Sequence, residues 1–427
     1  MKSVKDNSKL SGISGNVLPF VLVTTLFFMW GIPNNLNGVL IKQFMKSFEL
    51  TPFKAGLIQS SFYMGYFLFA IPAAMLMRKY SYKVGIVFGL LLYGVGCLLF
   101  WPAAIAGTYG FFLLALLIIA SGLTFLETGA NPFIALLGKR NGSERMLNLS
   151  QAFNPIGAVT GVLIGTIFIF SGVEPDVGQI SSMKAAGTYD MFLQKEILRV
   201  VMPYMGLAAF ALLWAVLIIK TKFPALDEAE ESSAENKGRF SELFKNPHFV
   251  KGVIAQFFYV GAQVGTWSYF IMYVQSYTGG SEKIAGYLLT GTLVAFGLGR
   301  FLATWIMKYI SPAKLMSIFS AANIGLVTIA VLLPGWTGMW ALFFTSFFMS
   351  LMYPTIFAIS ISGLGSNTKN GSSVLVMSII GGAVLTPVMG LISEKTNSMA
   401  MAMLIPLIAY VYIMYYSITG SHQKTEA

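Results

Sequence analysis

Acidic residues, histidine and cysteine are all scarce in this 427-residue chain, which holds 17 Asp and Glu, two histidines (His248, His422) and one cysteine, Cys97. One cysteine cannot build a disulfide framework, and this set leaves no zinc-type ligand cluster. Redox and metal chemistry are set aside, and no cofactor is expected. Charged residues make up only 11% of the chain against 56% hydrophobic, with a mean hydropathy of +0.71. A soluble globular domain has a different balance. What is present is hydrocarbon in long runs, the composition of an integral membrane protein whose first partner is the lipid bilayer.

The net charge of +11 does not point to nucleic acid, because the basic residues sit in short loops between apolar runs and read as topology signals. The first seventeen residues are polar, with Lys2, Lys5 and Lys9; the apolar run that begins near Leu18 is too long for a signal-peptide core and has no small-residue cleavage site after it. It reads as an uncut first helix. A spanning helix needs about 20 mostly apolar residues. Twelve stretches qualify: 18–44, 56–77, 84–103, 109–137, 149–171, 198–220, 249–277, 284–307, 312–333, 337–362, 372–394 and 398–418. The longest polar segment, Pro224 to Pro247, falls between the sixth and seventh. The expected fold is therefore an all-α membrane protein of two six-helix bundles, 18–220 and 249–418, with a tail 1–17, an inter-bundle loop 221–248 and a tail 419–427.

If both termini are cytoplasmic, 19 of the 28 Lys and Arg lie inside and 8 outside, with Arg300 left within the eighth span. The positive-inside rule then puts both termini in the cytoplasm, and the expected location is the inner membrane. The halves also repeat weakly. Phe27-Phe28-Met29-Trp30-Gly31 echoes Phe257-Phe258-Tyr259-Val260-Gly261, Lys54-Ala55-Gly56 echoes Ile284-Ala285-Gly286, and Asn131-Pro132-Phe133-Ile134 echoes Tyr353-Pro354-Thr355-Ile356. Such internal repetition marks a transporter built from two similar bundles.

Glu127 is the one acidic residue that this reading leaves inside the membrane; the rest fall in loops, tails or at helix ends. Removal from water disfavours a carboxylate, so an acid there can take up and release a proton at working pH. An intramembrane ionisable group is by default a functional hypothesis; the bland alternative is a structural carboxyl bonded to a neighbouring helix. In the repeat register its counterpart is Met349, so the acid belongs to one half only.

Uncharged amides gather on helix faces around it. Asn131 follows Glu127 at i+4; the first span offers Trp30, Asn34 and Asn37 on one stripe and Asn35 on the next. The fifth has Asn148, Gln151 and Asn154, and the seventh Gln256, Tyr259, Gln263 and Trp267. Amides facing lipid would be costly, so such stripes belong on a polar cavity or serve as glue between helices. Amides for hydroxyl groups, with Trp30, Trp267 and Tyr353 for the apolar faces of a ring, fit a sugar. Gly157, Gly161, Gly165, Gly381, Gly382 and Gly390 permit close helix approach. Arg300 reads equally as a gating residue or as an anchor reaching toward a loop.

Trp30 through Gly38, Ala55-Gly56-Leu57-Ile58-Gln59-Ser60, Leu126-Glu127-Thr128-Gly129-Ala130-Asn131-Pro132-Phe133 and Tyr353-Pro354-Thr355-Ile356-Phe357 resemble the fucose/galactose/glucose proton-symporter family of the major facilitator superfamily. The likeness runs from about residue 20 to 415. It implies two bundles around a central sugar cavity that opens alternately to either side, import of L-fucose or a related hexose by proton symport, and no enzymatic activity. By matching position it puts Glu127 on the family's fourth-helix carboxylate, and Trp30, Asn35, Gln151, Asn154, Trp267 and Tyr353 on the cavity wall. The substrate set expected from stripes and resemblance together is Trp30, Asn35, Glu127, Asn131, Gln151, Asn154, Tyr259, Gln263, Trp267 and Tyr353, with a sugar and a proton as partners and a monomer as the unit. The first-helix motif departs from the family at Gly38, where an Asp is expected. Either Glu127 couples alone, or the carrier is a facilitator, or it uses another ion.

Overall fold

The computed structural model describes residues 17–137, 149–224, 243–364 and 367–420. Asn148, Glu144, most of the inter-bundle loop and both tails lie outside them. Twelve membrane helices follow in order: α1 (Val17–Ser47), α2 (Pro52–Lys79), α3 (Tyr82–Ala106), α4 (Tyr109–Leu137), α5 (Leu149–Ile169), α6 (Tyr189–Lys220), α7 (Pro247–Thr278), α8 (Glu282–Ile306), α9 (Pro312–Leu332), α10 (Trp336–Ile361), α11 (Asn370–Thr396) and α12 (Met399–Thr419). Eleven are long and apolar enough to cross a membrane. The other, α7, has the length at 32 residues, but its stripe of amides and aromatic hydroxyls lowers its hydropathy.

Several starts are written in short sequence signals. Thr51, Ser81, Asn246 and Ser281 cap α2, α3, α7 and α8 with side-chain oxygens, and Pro52, Pro247 and Pro312 stand at first positions, where a missing N–H costs nothing. Two departures stand on one side of the bundle. The helix Val177–Ala185 and the first ten residues of α6, Tyr189–Leu198, lie where the sequence suggested only loop; both are too polar and too short to read as spans.

Trp214 Nε1 at the end of α6 donates to Leu22 O at the start of α1, and Ser317 near the start of α9 bonds Ser417 near the end of α12. The chain ends thus share one face of the molecule, here the termini face. At the opposite, far face the bundles meet through α1 with α7, α2 with α11 and α5 with α8. The approach is close: a Cβ on Gly286 of α8 would overlap Thr166 Oγ1 of α5. Every cross-bundle hydrogen bond among the described residues belongs to this half. Gln59 donates to Ser268 (2.8 Å), Ser60 to Ala383 O (2.6 Å) and Tyr269 to Pro52 O (2.8 Å).

Beyond these bonds sits a buried charge cluster. Lys46 of α1 lies 2.7 Å from Glu196 of its own bundle and 2.9 Å from Glu282 of the other. Glu282 is 0% and Glu196 3% exposed, so Glu127 is not the only acid removed from water. Helix ends look peripheral in sequence, but this end is covered by the segment that follows α5. Gly172 N donates to Glu282 Oε1 (2.9 Å), the α8 N-terminal amide of Glu282 donates to Glu174 (2.6 Å), and Gln275 donates to the same carboxylate. Two bonds from Gln43 to Glu196 complete the set. Lys46→Met would remove the cation that lies within 3 Å of both buried carboxylates, and breaking such a buried pair typically costs about 3–5 kcal/mol. Lys46→Met is therefore expected to lower the thermal midpoint of the purified protein in detergent by several degrees, and Lys46→Arg by much less.

Candidate functional site

Between the bundles lies a cavity of about 420 Å³, within the usual range for small-molecule sites. Trp30, Asn35, Glu127, Asn131, Gln151, Asn154, Tyr259, Gln263, Trp267 and Tyr353 all line it, together with Asn34, Gly38, Gln59, Tyr63, Tyr66, Leu289, Leu293, Phe296 and Arg300. Two members of the sequence stripes do not. Asn37 is fully buried and donates to Gln59 (3.2 Å), and Gln256 is buried within the C-terminal bundle.

Glu127 is half-buried on the wall, where Tyr66 Oη donates to its Oε1 at 2.7 Å. That is the one hydrogen bond to its side chain among the described residues. The same hydroxyl is 3.4 Å from Asn34 Oδ1; with a single proton to give, it serves the shorter, charge-assisted contact. Tyr66, Tyr63 and Gln59 form a stripe on α2 at i, i+4 and i+7, the same signal that marks α1, α5 and α7.

The amides are half-committed. Asn35 Nδ2 donates to Gly31 O (3.0 Å), Asn131 Nδ2 to Glu127 O (3.0 Å) and Asn154 Nδ2 to Phe27 O (3.4 Å), each to a helix carbonyl. These bonds fix the side chains and leave Oδ1 of Asn35 and Asn154 without a donor among the described residues, while Asn131 Oδ1 takes Gln151 Nε2 at 3.5 Å. Gln263 has both ends of its amide free among the described residues. A polyhydroxylated solute needs acceptors and donors at once, and this wall offers both.

Trp267 turns its indole N–H away to Ser346 Oγ (3.0 Å), so only its ring borders the cavity. Arg300 stays on the wall and does not reach for a loop. Its Nε donates to Ser350 O (3.3 Å), its guanidinium lies 4.9 Å from the Phe296 ring centroid, and its two terminal nitrogens have no hydrogen bond among the described residues. Gly38 sits where α1 crosses α7: a Cβ there would be 3.3 Å from Trp267 O and 3.5 Å from Leu289 Cδ2. The absent side chain lets the helices close.

The Major Facilitator Superfamily model matches residues 20–373, and a relative of nearly equal length decides the branch. The chain is 43% identical to the L-fucose-proton symporter of Escherichia coli (strain K12), over 96% of this chain and 94% of that one. The chain belongs to the fucose/galactose/glucose proton-symporter family of the major facilitator superfamily. It is also 34% identical to the glucose/galactose transporter of Brucella abortus biovar 1 (strain 9-941), over 93% of each chain. The crystal structure of the E. coli fucose:proton symporter aligns with a TM-score of 0.70 at 42% identity, covering 96% of this chain and 100% of that chain. The two-bundle, twelve-helix architecture is thus that of the superfamily.

Tyr66 supplies the hydrogen bond that orients the Glu127 carboxyl on the cavity wall. Tyr66→Phe keeps the ring packing but strands one carboxyl oxygen, at a cost of about 1–3 kcal/mol. Uptake kcat/KM is expected to fall about tenfold to a hundredfold with the protein still folded by size-exclusion chromatography.

Proposed function

We propose that the chain imports L-fucose together with a proton by alternating access, with Glu127 as the proton carrier. The observation that carries this is Glu127 itself, hydrogen-bonded by Tyr66 on the wall of a solute-sized cavity that is sealed at one face by cross-bundle bonds. The bundles 18–220 and 249–418 are the moving units and 221–248 is their link. The termini face is cytoplasmic and the far face outward, in the inner membrane, because basic residues favour the termini side. The carrier works as a monomer and is not an enzyme.

Protonated Glu127 is neutral and favours sugar binding from outside; after the bundles rock, the proton leaves into the cytoplasm. Coupling requires that sugar and proton each bind more tightly in the presence of the other. One charge moved inward gains about 2.3 kcal/mol per 100 mV, roughly 50-fold of accumulation at one proton per sugar. In this cycle Asn35, Asn131, Gln151, Asn154 and Gln263 bond the hydroxyls, and Trp30, Trp267, Tyr259 and Tyr353 cover the ring.

Gly38 favours a second reading, uniport, because the family's first-helix carboxylate has no replacement at that position. Glu127→Gln, which mimics the protonated state, separates the two. Under symport the variant keeps sugar binding and counterflow in vesicles but loses accumulation driven by an imposed proton gradient. Accumulation at the wild-type level in the variant removes Glu127 from coupling, and a wild type that never exceeds equilibrium is a uniporter.

A further inference from the structure

Lys46, at the far-face end of α1, serves two carboxylates that belong to different bundles. Its Nζ lies 2.7 Å from Glu196 on its own bundle and 2.9 Å from Glu282 at the first position of α8. The surroundings of the two acids differ. Glu196 is held from its own bundle by Gln43 Nε2, which donates to its carbonyl (2.9 Å) and its carboxylate (3.1 Å), and Ser171 Oγ of the same bundle accepts from Lys46 at 3.3 Å. Among the described residues, every donor to the Glu282 carboxylate comes across the boundary, from Lys46 and the Gly172 amide. Glu174 of the same segment reaches over to the Glu282 amide and to Gln275. Lys42, one turn earlier on α1, is a second cation facing Glu174 and Glu282. Parting the bundles at this face therefore strands no charge in hydrocarbon. Lys46 keeps Glu196 and Ser171, and Glu282 is left in water at a helix N-terminus, where negative charge is favoured.

We propose that Lys46 is the moving part of a charge latch on the far face: it bridges Glu196 and Glu282 while that face is shut and stays with Glu196 alone when it opens, so that the two acids pull the equilibrium in opposite directions. The proposal goes beyond the sugar and proton reading and rests only on its claim that the bundles move. Glu282 favours the shut state, because its attraction to Lys46 is gained only there. Glu196 opposes it. This acid stands beside Lys46 in both states, but in the shut state it also repels Glu282, so removing its charge leaves the attraction between Lys46 and Glu282 unopposed. A buried pair with one acid is hard to break, because breaking it leaves a charge uncompensated. The second acid lowers that cost and makes closure reversible.

The test reads opening through Thr166→Cys in the purified full-length protein. Thr166 of α5 is fully buried against Gly286 of α8, one turn inward from Glu282, and meets water when the bundles part at this face. The rate at which a water-soluble maleimide labels that position follows the open fraction. Cys97, buried in α3, reports loss of fold in the same sample. In this background Glu282→Gln is expected to speed labelling about tenfold and Glu196→Gln to slow it about tenfold, with Cys97 unreacted in both. A contribution to packing alone moves both variants the same way. Opposite shifts in these directions support the latch; any other pairing, an unchanged rate included, overturns it. Glu174→Ala alters an exposed side chain of the same clasp and is expected to speed labelling severalfold. It carries the test where neither buried variant folds, and a rate equal to the parent's then overturns the proposal. A thiol at 166 as unreactive as Cys97 in the parent and all variants overturns the reading of moving bundles itself.

Discussion

Hydrocarbon offers no hydrogen bonds, and the arrangement of this chain follows from that constraint. Each polar group at membrane depth costs several kcal/mol unless something inside the protein meets it. The backbone meets the cost by coiling into twelve helices. The side chains meet it by turning inward, so that Asn35, Asn131, Asn154 and Tyr66, carried on α1, α4, α5 and α2, converge on one volume. Three of these amides bond a carbonyl of a membrane helix with one end and keep the other for the cavity or for a second amide. Satisfying the bilayer and building a polar site are here the same act.

Two groups of carboxylates show how partner chemistry assigns a task. Glu196 and Glu282 flank Lys46 within 3 Å and also accept bonds from Gln43 and the Gly172 amide. The cluster ties α1 to α8 across the bundle boundary. Glu127 has instead a neutral phenol as its partner. A phenol can donate to the carboxylate and equally stand beside the protonated acid, so the hydrogen bond survives in either state while the charge itself has no counter-ion among the described residues. The first arrangement suits closure and the second suits coupling.

Much of this was legible from residue types alone. Runs of about 20 mostly apolar residues marked all twelve spans, α7 included. The same stripe argument placed Gln263 and Trp267 on the cavity side. It overshot at Asn37 and Gln256, since a helical face is wider than the strip that borders a cavity and its neighbours are buried against adjacent helices. Tyr63 and Tyr66 were missed although they obey the same spacing, because tyrosine among Phe and Met on α2 looks like packing until a carboxylate is found opposite its hydroxyl. The burial of Glu196 and Glu282 was not legible. It depends on the segment 170–176 folding over the end of α8, a tertiary event with no local signature.

Both bundles build the cavity. Glu127 on α4 shares a wall with Asn35, Asn131 and Asn154, and the C-terminal bundle adds Tyr259, Gln263, Arg300 and Tyr353. Gln151 is bonded to Asn131, which is bonded to the backbone carbonyl of Glu127, so these side chains are held on the same stretch of wall as the acid. On α8 the same cavity is lined by Leu289, Leu293 and Phe296 and, one turn on, by Arg300 stacked on Phe296. If Glu127 is the proton carrier, linkage between proton and sugar has to run through this cavity wall, because α1 supplies no second acid at Gly38.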